Sequence, residues 1–169
     1  MSEKSVNEAV SFGERLASSQ AFADLFRDGM ALVEETASYL DGAGRQESKK
    51  LERNGALAYA TESMRLTTRL MQLASWLLLH RAVKEGEMSL AQANKEKAKV
   101  KLSAVEHNDE QNIKLLPERL RGLIQRSKVL QSAVRRLDAT IHATIPTRID
   151  RGNPVERQLG LLKAAFEHE

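Results

Sequence analysis

The chain has 169 residues, of which 41% are hydrophobic and 29% charged, a balance typical of one soluble globular domain with a sizeable core. It contains no cysteine, which excludes disulfides, thiolate metal sites and catalytic thiols. Aromatic residues make up only 4%, so the residues that favour strands are scarce and a helical protein is expected. The longest uncharged run, residues 70–80, is too short to span a membrane, and the first residues lack a signal-peptide layout. We therefore expect a cytoplasmic protein with no membrane partner.

The net charge of +3 is distributed unevenly along the chain. Residues 1–41 contain 8 acidic and 3 basic residues, whereas residues 117–169 contain 6 acidic and 10 basic residues. We interpret this as charge pairing within the molecule or between subunits. The alternative function is that of a DNA- or RNA-binding regulator. It is disfavoured because the arginines of residues 117–151 spread around their helix and form no single basic stripe.

The first long helix is predicted where apolar residues recur at helical spacing from Phe22 to Leu40. Two capping-box pairs lie upstream, and Ser19 offers a third possible start. Gly42 is suited to end this helix in a left-handed conformation. The polar residues 42–54 are expected to form a loop that leads into the next helix.

The second helix is predicted from residue 51 or 55 to about Glu85, with Gly86 as its stop. Its apolar arc covers roughly half of the circumference, which is wide for a surface helix. Two adjoining lines form the arc: Leu66, Leu70, Leu73 and Leu77, and then Ala60, Met64, Thr67, Met71, Ala74 and Leu78. Such an arc is expected for the central helix of a bundle or for a helix that also forms a dimer interface.

The opposite, polar side of this helix carries the only tryptophan of the chain. It forms a stripe at spacings of 4, 3 and 4 that consists of Arg65, Arg69, Gln72 and Trp76. One interpretation is that the arginines pair with acidic residues of the first helix, namely Asp24, Asp28, Glu34 and Glu35. The other is an exposed protein-binding stripe, since tryptophan and arginine are frequent anchors of interfaces. We take these four residues as a candidate binding site.

A short third helix is predicted after the Ser89–Gln92 capping box, and a polar linker over residues 103–112 leads to the fourth helix. The fourth helix is expected to begin at Pro117 and to end before Pro146. Its apolar seam steps by 4 and 3 and has one polar member, which is typical of a bundle helix. The seam consists of Leu116, Leu120, Leu123, Ser127, Leu130, Val134, Leu137 and Ile141.

Residues 147–169 differ in character from the rest of the chain. A polar hinge precedes four apolar residues at spacings of 4, 3 and 4, which are Val155, Leu159, Leu162 and Phe166. A helix this short is marginal alone in water, so the segment either docks on the bundle or binds a partner protein. The predicted organisation is all-α. An antiparallel three-helix bundle with an extra short helix occupies residues 1–146, and a flexible or amphipathic tail occupies residues 147–169.

The sequence contains no motif of a nucleotide-binding loop, a zinc protease or a serine hydrolase. The four histidines are scattered, and none has a second metal ligand three or four residues away on a helix face. The acidic cluster at residues 106–110 is contiguous and polar, as expected of a linker. We therefore predict a non-enzymatic protein that has no catalytic residue, metal or cofactor and acts through protein contacts.

Residues 59–83 are the most distinctive stretch of the chain and resemble the alphaproteobacterial DUF1465 family; they read YATESMRLTTRLMQLASWLLLHRAV. Further segments resemble the same family: LVEETASYLD at 32–41, EGEM at 85–88, LPERL at 116–120 and RRLD at 135–138. The resemblance covers about residues 12–142.

The resemblance implies a three-helix bundle that forms a homodimer and acts in regulated, cell-cycle proteolysis. It implies an adaptor that delivers cargo, such as a cell-cycle transcription regulator, to the ClpXP protease. Response-regulator or second-adaptor proteins are implied as further partners, and concentration at a cell pole is implied as the localisation. The family's functional C-terminal tail corresponds to residues 147–169 here.

Overall fold

The computed structural model describes residues 19–99 and 110–143. In these two ranges the chain forms six helices and no strand: α1 Gln20–Asp41, α2 Ala43–Lys49, α3 Arg53–Lys84, α4 Leu90–Lys99, α5 Glu110–Lys114 and α6 Glu118–Ala143. The predicted all-α fold is therefore confirmed. The upstream capping boxes, the stop at Pro146 and the tail over residues 147–169 lie outside the described ranges.

The helices α1 and α6 run antiparallel. Glu35 of α1 pairs with Arg126 of α6 at 2.7 Å, and the Arg119 guanidinium lies over the Tyr39 ring, 5.2 Å from its centroid. The contacting residue numbers thus increase along α1 as they decrease along α6. These contacts fix the relative direction of the two helices and place the end of α1 beside the start of α6.

The helices α3 and α6 run parallel, because their contacts advance together along both chains. The Arg69 guanidinium donates a hydrogen bond to Ser127 Oγ at 2.9 Å, and the Trp76 indole donates to Asp138 Oδ1 at 2.8 Å. The helix α1 is consequently antiparallel to both, and the three long helices form the bundle. The short helices α4 and α5 lie between α3 and α6 in the chain.

A glycine allows α1 to lie close against α3. A Cβ atom at Gly29 would come within 2.6 Å of Leu77 Cδ1, a distance that real side chains do not adopt. The helix begins as one of the alternatives predicts, since the Phe22 amide donates a hydrogen bond to Ser19 Oγ at 3.3 Å. Gly29 therefore sets the spacing of the two helices near the middle of α1.

The connection between α1 and α3 differs from the prediction. Gly42 has φ −110°, so the expected left-handed stop is wrong. Residues 43–49 form α2 rather than part of a loop. The side chain of Glu47 in α2 accepts a hydrogen bond from the Tyr39 hydroxyl at 2.5 Å, and this tertiary contact holds a polar segment in helical form.

The connection between α3 and α4 follows the prediction, whereas the linker predicted over residues 103–112 is wrong over its last three residues. Gly86 adopts φ 75° just after α3, the left-handed conformation that glycine tolerates best. The Ser89–Gln92 capping box forms both of its hydrogen bonds: Gln92 N donates to Ser89 Oγ, and Ser89 N donates to Gln92 Oε1. The helix α5 begins inside the stretch predicted as a linker.

The seam predicted on α6 lies in the core. All of its members except the half-buried Leu137 are buried, including the polar Ser127. On α3 the first predicted line is also buried, because Leu66, Leu70, Leu73 and Leu77 are each at most 3% exposed. The prediction that Leu70 and Leu73 lie in a core or a dimer seam is thus resolved in favour of the core.

Candidate protein-binding surface

The stripe predicted on the polar side of α3 is not an exposed surface. Trp76 is 2% exposed and Arg69 is 7% exposed, so both belong to the interior. Arg65 is exposed and Gln72 is half-buried. The expectation of a continuous exposed stripe is therefore wrong, while a binding role for Arg65 and Gln72 stays a prediction. The tail residues proposed as a second site lie outside the described ranges: Val155, Leu159, Leu162 and Phe166.

Trp76 is buried because the other elements supply both apolar contacts and a hydrogen-bond acceptor. Its indole N–H donates to Asp138 Oδ1 at 2.8 Å, and Lys97 Nζ donates to both oxygens of the same carboxylate at 2.6 and 2.5 Å. Its ring stacks on His80 at 3.9 Å and meets the Phe22 ring at 6.2 Å. Trp76 thus joins α1, α4 and α6 to α3 and has a structural role.

Arg69 has a similar explanation. Its guanidinium donates to Ser127 Oγ at 2.9 Å, and the Ser127 hydroxyl donates to the Ile124 carbonyl oxygen at 2.7 Å. The polar member of the α6 seam therefore faces the buried arginine of α3. A buried guanidinium needs hydrogen-bond partners to offset its loss of hydration, and Ser127 supplies one of them.

The acidic residues of α1 pair differently from the interpretation offered for α3. Asp24 and Asp28 pair with Arg27 of their own helix, and Glu35 pairs with Arg126 of α6. On α3, Arg65 pairs with Glu62 of the same helix at 2.8 Å. Charge complementarity between the acidic first helix and a basic later segment is thus seen between α1 and α6.

The largest exposed apolar feature of α3 follows the second line of the predicted arc and adds Leu57, which the prediction did not include. Leu57, Met64, Met71 and Leu78 are 61%, 72%, 66% and 53% exposed, and they recur every seventh residue. They span about 32 Å at the rise of an α-helix. Between them lie small residues such as Ala60 and Ala74. We call this line the α3 stripe. It is the part of the arc that the bundle does not bury.

Two grooves border the α3 stripe. One has a volume of about 320 Å³ and lies between α1 and α3, where Val33, Ala37 and Leu40 face Met71. The other has a volume of about 340 Å³, lies between α3 and α4, and has Leu78 in its wall. A second helix can place its side chains in such grooves, beside the protruding apolar side chains of the first. This face is therefore the candidate protein-binding surface.

Two tyrosines, Tyr39 and Tyr59, pack near the start of α3. The Tyr39 hydroxyl donates to Glu47 Oε2, and burial, followed by this hydrogen bond to a carboxylate, raises the pKa of Tyr39 well above its usual value. Burial also raises the pKa of Tyr59. A Cβ at Gly44 would lie within 2.6 Å of the Tyr59 hydroxyl. This cluster is closely packed, and its contacts hold α2 against the bundle.

Between residues 19 and 99 and between 110 and 143, no group of three or more potential ligands is placed to hold a metal ion. In the same part of the chain, no helix is both long and apolar enough to cross a membrane.

Comparisons with known proteins give a family and a similar solved structure. The sequence profile of the family described as "Protein of unknown function (DUF1465)" matches residues 13–166. The crystal structure of RcdA from Caulobacter crescentus CB15 is similar, with 54% sequence identity over 76% of this chain and 96% of that chain, and a TM-score of 0.60. A comparison with curated proteins finds no match.

Proposed function

Because this chain belongs to the DUF1465 family, we propose that it is a non-enzymatic adaptor that delivers protein substrates to the ClpXP protease. The observation that carries the proposal is the 54% identity to RcdA, which extends over 96% of that chain. The cargo is a cell-cycle transcription regulator, and response-regulator or second-adaptor proteins are further partners. The adaptor acts in the cytoplasm and concentrates at a cell pole.

The exposed face of α3 supports an adaptor role. A rigid three-helix framework presents the α3 stripe and its two grooves, which suit the apolar side of a partner helix. An adaptor must release its cargo to the protease, so separate contacts of modest strength are suitable. Tethering several such contacts on one complex raises the overall affinity without a single tight interface.

Affinity capture with purified components tests the adaptor role. The full chain is immobilised and offered ClpX with and without a candidate response regulator. Binding of ClpX that increases with the response regulator is expected. The control is a variant with Lys114→Met, which changes an exposed side chain of α5 that lines neither groove beside the α3 stripe. Absence of binding to ClpX and to its known adaptors would contradict the proposal.

The α3 stripe also suits a homodimer, which we propose as the assembly that presents these contacts. The four residues are self-complementary about a two-fold axis that passes between positions 67 and 68. An antiparallel pair of α3 helices then places Leu57 against Leu78 of the partner subunit and Met64 against Met71 of the partner subunit. Because the intervening residues are small, the two helix backbones can approach closely.

Light scattering on a matched set of variants tests this assembly. Met64→Glu with Met71→Glu places charges on exposed positions of the α3 stripe, so the bundle should fold while the dimer dissociates. Ala139→Glu is the control, because Ala139 is also exposed but lies on α6, outside the α3 stripe and the grooves. Variants at Leu70 or Leu73 are unsuitable, since these residues belong to the core. An unchanged dimer in the double variant would refute this interface.

A further inference from the structure

A third groove lies between α1 and α6 and involves no residue of α3. It has a volume of about 500 Å³ and is lined by Leu25, Ala31 and Leu32 of α1 and by Val129 and other residues of α6. Val129 is a β-branched apolar residue that is 59% exposed. The lining is mainly aliphatic, so the groove suits the apolar side chains of a helix better than a polar small molecule.

The length of chain beyond α6 allows the tail to reach this groove. The helix α6 ends at Ala143, and its last residue in the groove wall, Ala133, lies ten positions earlier, or about 15 Å away along the helix. Residues 144–154 precede the apolar tail residues and can extend to about 36 Å. The connection is therefore more than long enough for the tail to turn back along α6.

The dimensions of the tail also match the groove. In a helix, residues 155–166 would be about 18 Å long, and the spacing of the four apolar residues from Val155 to Phe166 would place them on one side. The α6 wall from Ala133 to Gln125 is about 12 Å long. A helix that starts near Ala133 therefore covers the whole wall, and its second apolar residue, Leu159, lies opposite Val129.

The length of the connection favours one direction. The acidic end of the tail, residues 167–169, meets an exposed arginine of α6 in either direction, Arg121 if the tail is antiparallel and Arg136 if it is parallel. An antiparallel tail starts near Ala133, about 15 Å from the end of α6, whereas a parallel tail starts near Gln125, about 27 Å away. The antiparallel direction therefore needs the less extended connection.

We propose that residues 155–166 dock on their own bundle, as an amphipathic helix that lies antiparallel to α6 in the groove between α1 and α6. This is the first of the two alternatives that the amphipathic pattern leaves open. The docked tail covers Val129 and leaves the α3 stripe accessible to partners. The docking does not depend on the proposed adaptor role.

The absence of native cysteine makes a disulfide test direct, because every thiol in a variant is an introduced one. The test variant carries Val129→Cys with Leu159→Cys. The control carries Glu34→Cys with Leu159→Cys, which offers an exposed thiol on α1 at nearly the same height as Val129, outside both grooves beside α1 and outside the α3 stripe. Both full-length variants are oxidised mildly in dilute solution, and the disulfide within one chain is quantified on non-reducing gels and by thiol titration.

The tail is tethered in both variants, so only docking favours the Val129 pair over the control. We expect its disulfide to form about tenfold faster. Equal rates in the two variants would overturn the proposal, as would a faster reaction at position 34 or a disulfide that joins two chains. A second pair, Leu25→Cys with Val155→Cys, gives an independent reading if the Val129 variant folds poorly. Because the isolated protein is used, a negative result would leave the adaptor proposal unaffected.

Discussion

Asp138 should be one of the most important polar residues for the stability of the bundle. Its carboxylate accepts hydrogen bonds from the Trp76 indole and from Lys97, and its side chain is only 18% exposed. Asp138→Ala removes an acceptor from both groups at once. A hydrogen bond to a charged group contributes about 1.5–3 kcal/mol, and a buried donor without a partner costs about 1–3 kcal/mol. We expect the free energy of unfolding to fall by about 3 kcal/mol.

Lys97→Met separates the two contributions, because it keeps the hydrogen bond from Trp76 to Asp138. We expect a loss of about 1 kcal/mol for this variant, and the double variant should lose less than the sum of the single losses. Lys99→Met is the control. The ion pair of Lys99 with Glu96 is exposed, so its loss should be within about 0.5 kcal/mol.

Urea unfolding followed by tryptophan fluorescence is the suitable assay, because Trp76 is the only tryptophan and is itself part of the contact. The midpoint and slope of each transition give the free energy of unfolding. A loss below about 1 kcal/mol for Asp138→Ala, or exact additivity of the two single variants, would refute the reasoning.

Three further predictions concern packing, pH and the tail. Gly29→Ala should destabilise the bundle by about 1–3 kcal/mol, since the new Cβ meets Leu77. Gly122→Ala should instead stabilise it by up to about 1 kcal/mol, because nothing lies within 4 Å of the new Cβ. Thermal unfolding compares the two variants, and equal effects would contradict the close packing at Gly29. The raised pKa of Tyr39 means that the unfolded chain loses this proton near pH 10 while the folded chain keeps it, so stability falls as pH rises above about 10, by up to about 1.4 kcal/mol per pH unit. Unfolding curves of the wild type and Tyr39→Phe between pH 9 and 11 check this, because a slope that is the same in both would exclude Tyr39 as its origin. Deletion of residues 147–169 should leave the circular dichroism melting curve of the bundle cooperative and reduce cargo capture, and full delivery of every cargo by the truncated protein would contradict a role for the tail.

Local signals in the sequence predict much of the fold. The α6 seam, the Ser89–Gln92 capping box and the stop at Gly86 all follow from spacing or from backbone preferences within a few residues. The helix α2 was not predicted, because its seven residues carry no apolar period and its position depends on the contact of Glu47 with Tyr39.

The inward side of α3 is harder to predict from sequence. Arg69 and Trp76 look like surface residues by pattern, but each is buried against a partner about sixty positions away, Ser127 and Asp138. Met64 and Met71 look like core residues, but no described helix covers them. A pattern in one helix gives the width of its apolar arc, and only the neighbouring helices decide which part of the arc is buried. The polar Ser127 inside the α6 seam is the sequence signal that could have indicated a buried polar partner, but it was not used in that way.

The most direct test of the adaptor role is a reconstituted degradation assay. A cell-cycle transcription regulator is incubated with ClpXP, ATP and a response-regulator partner, with and without this chain, and its decay is followed on gels. The adaptor role predicts that the chain shortens the half-life of the regulator severalfold and that Met64→Glu with Met71→Glu weakens this effect. A half-life that stays the same at saturating concentrations of the chain would contradict it.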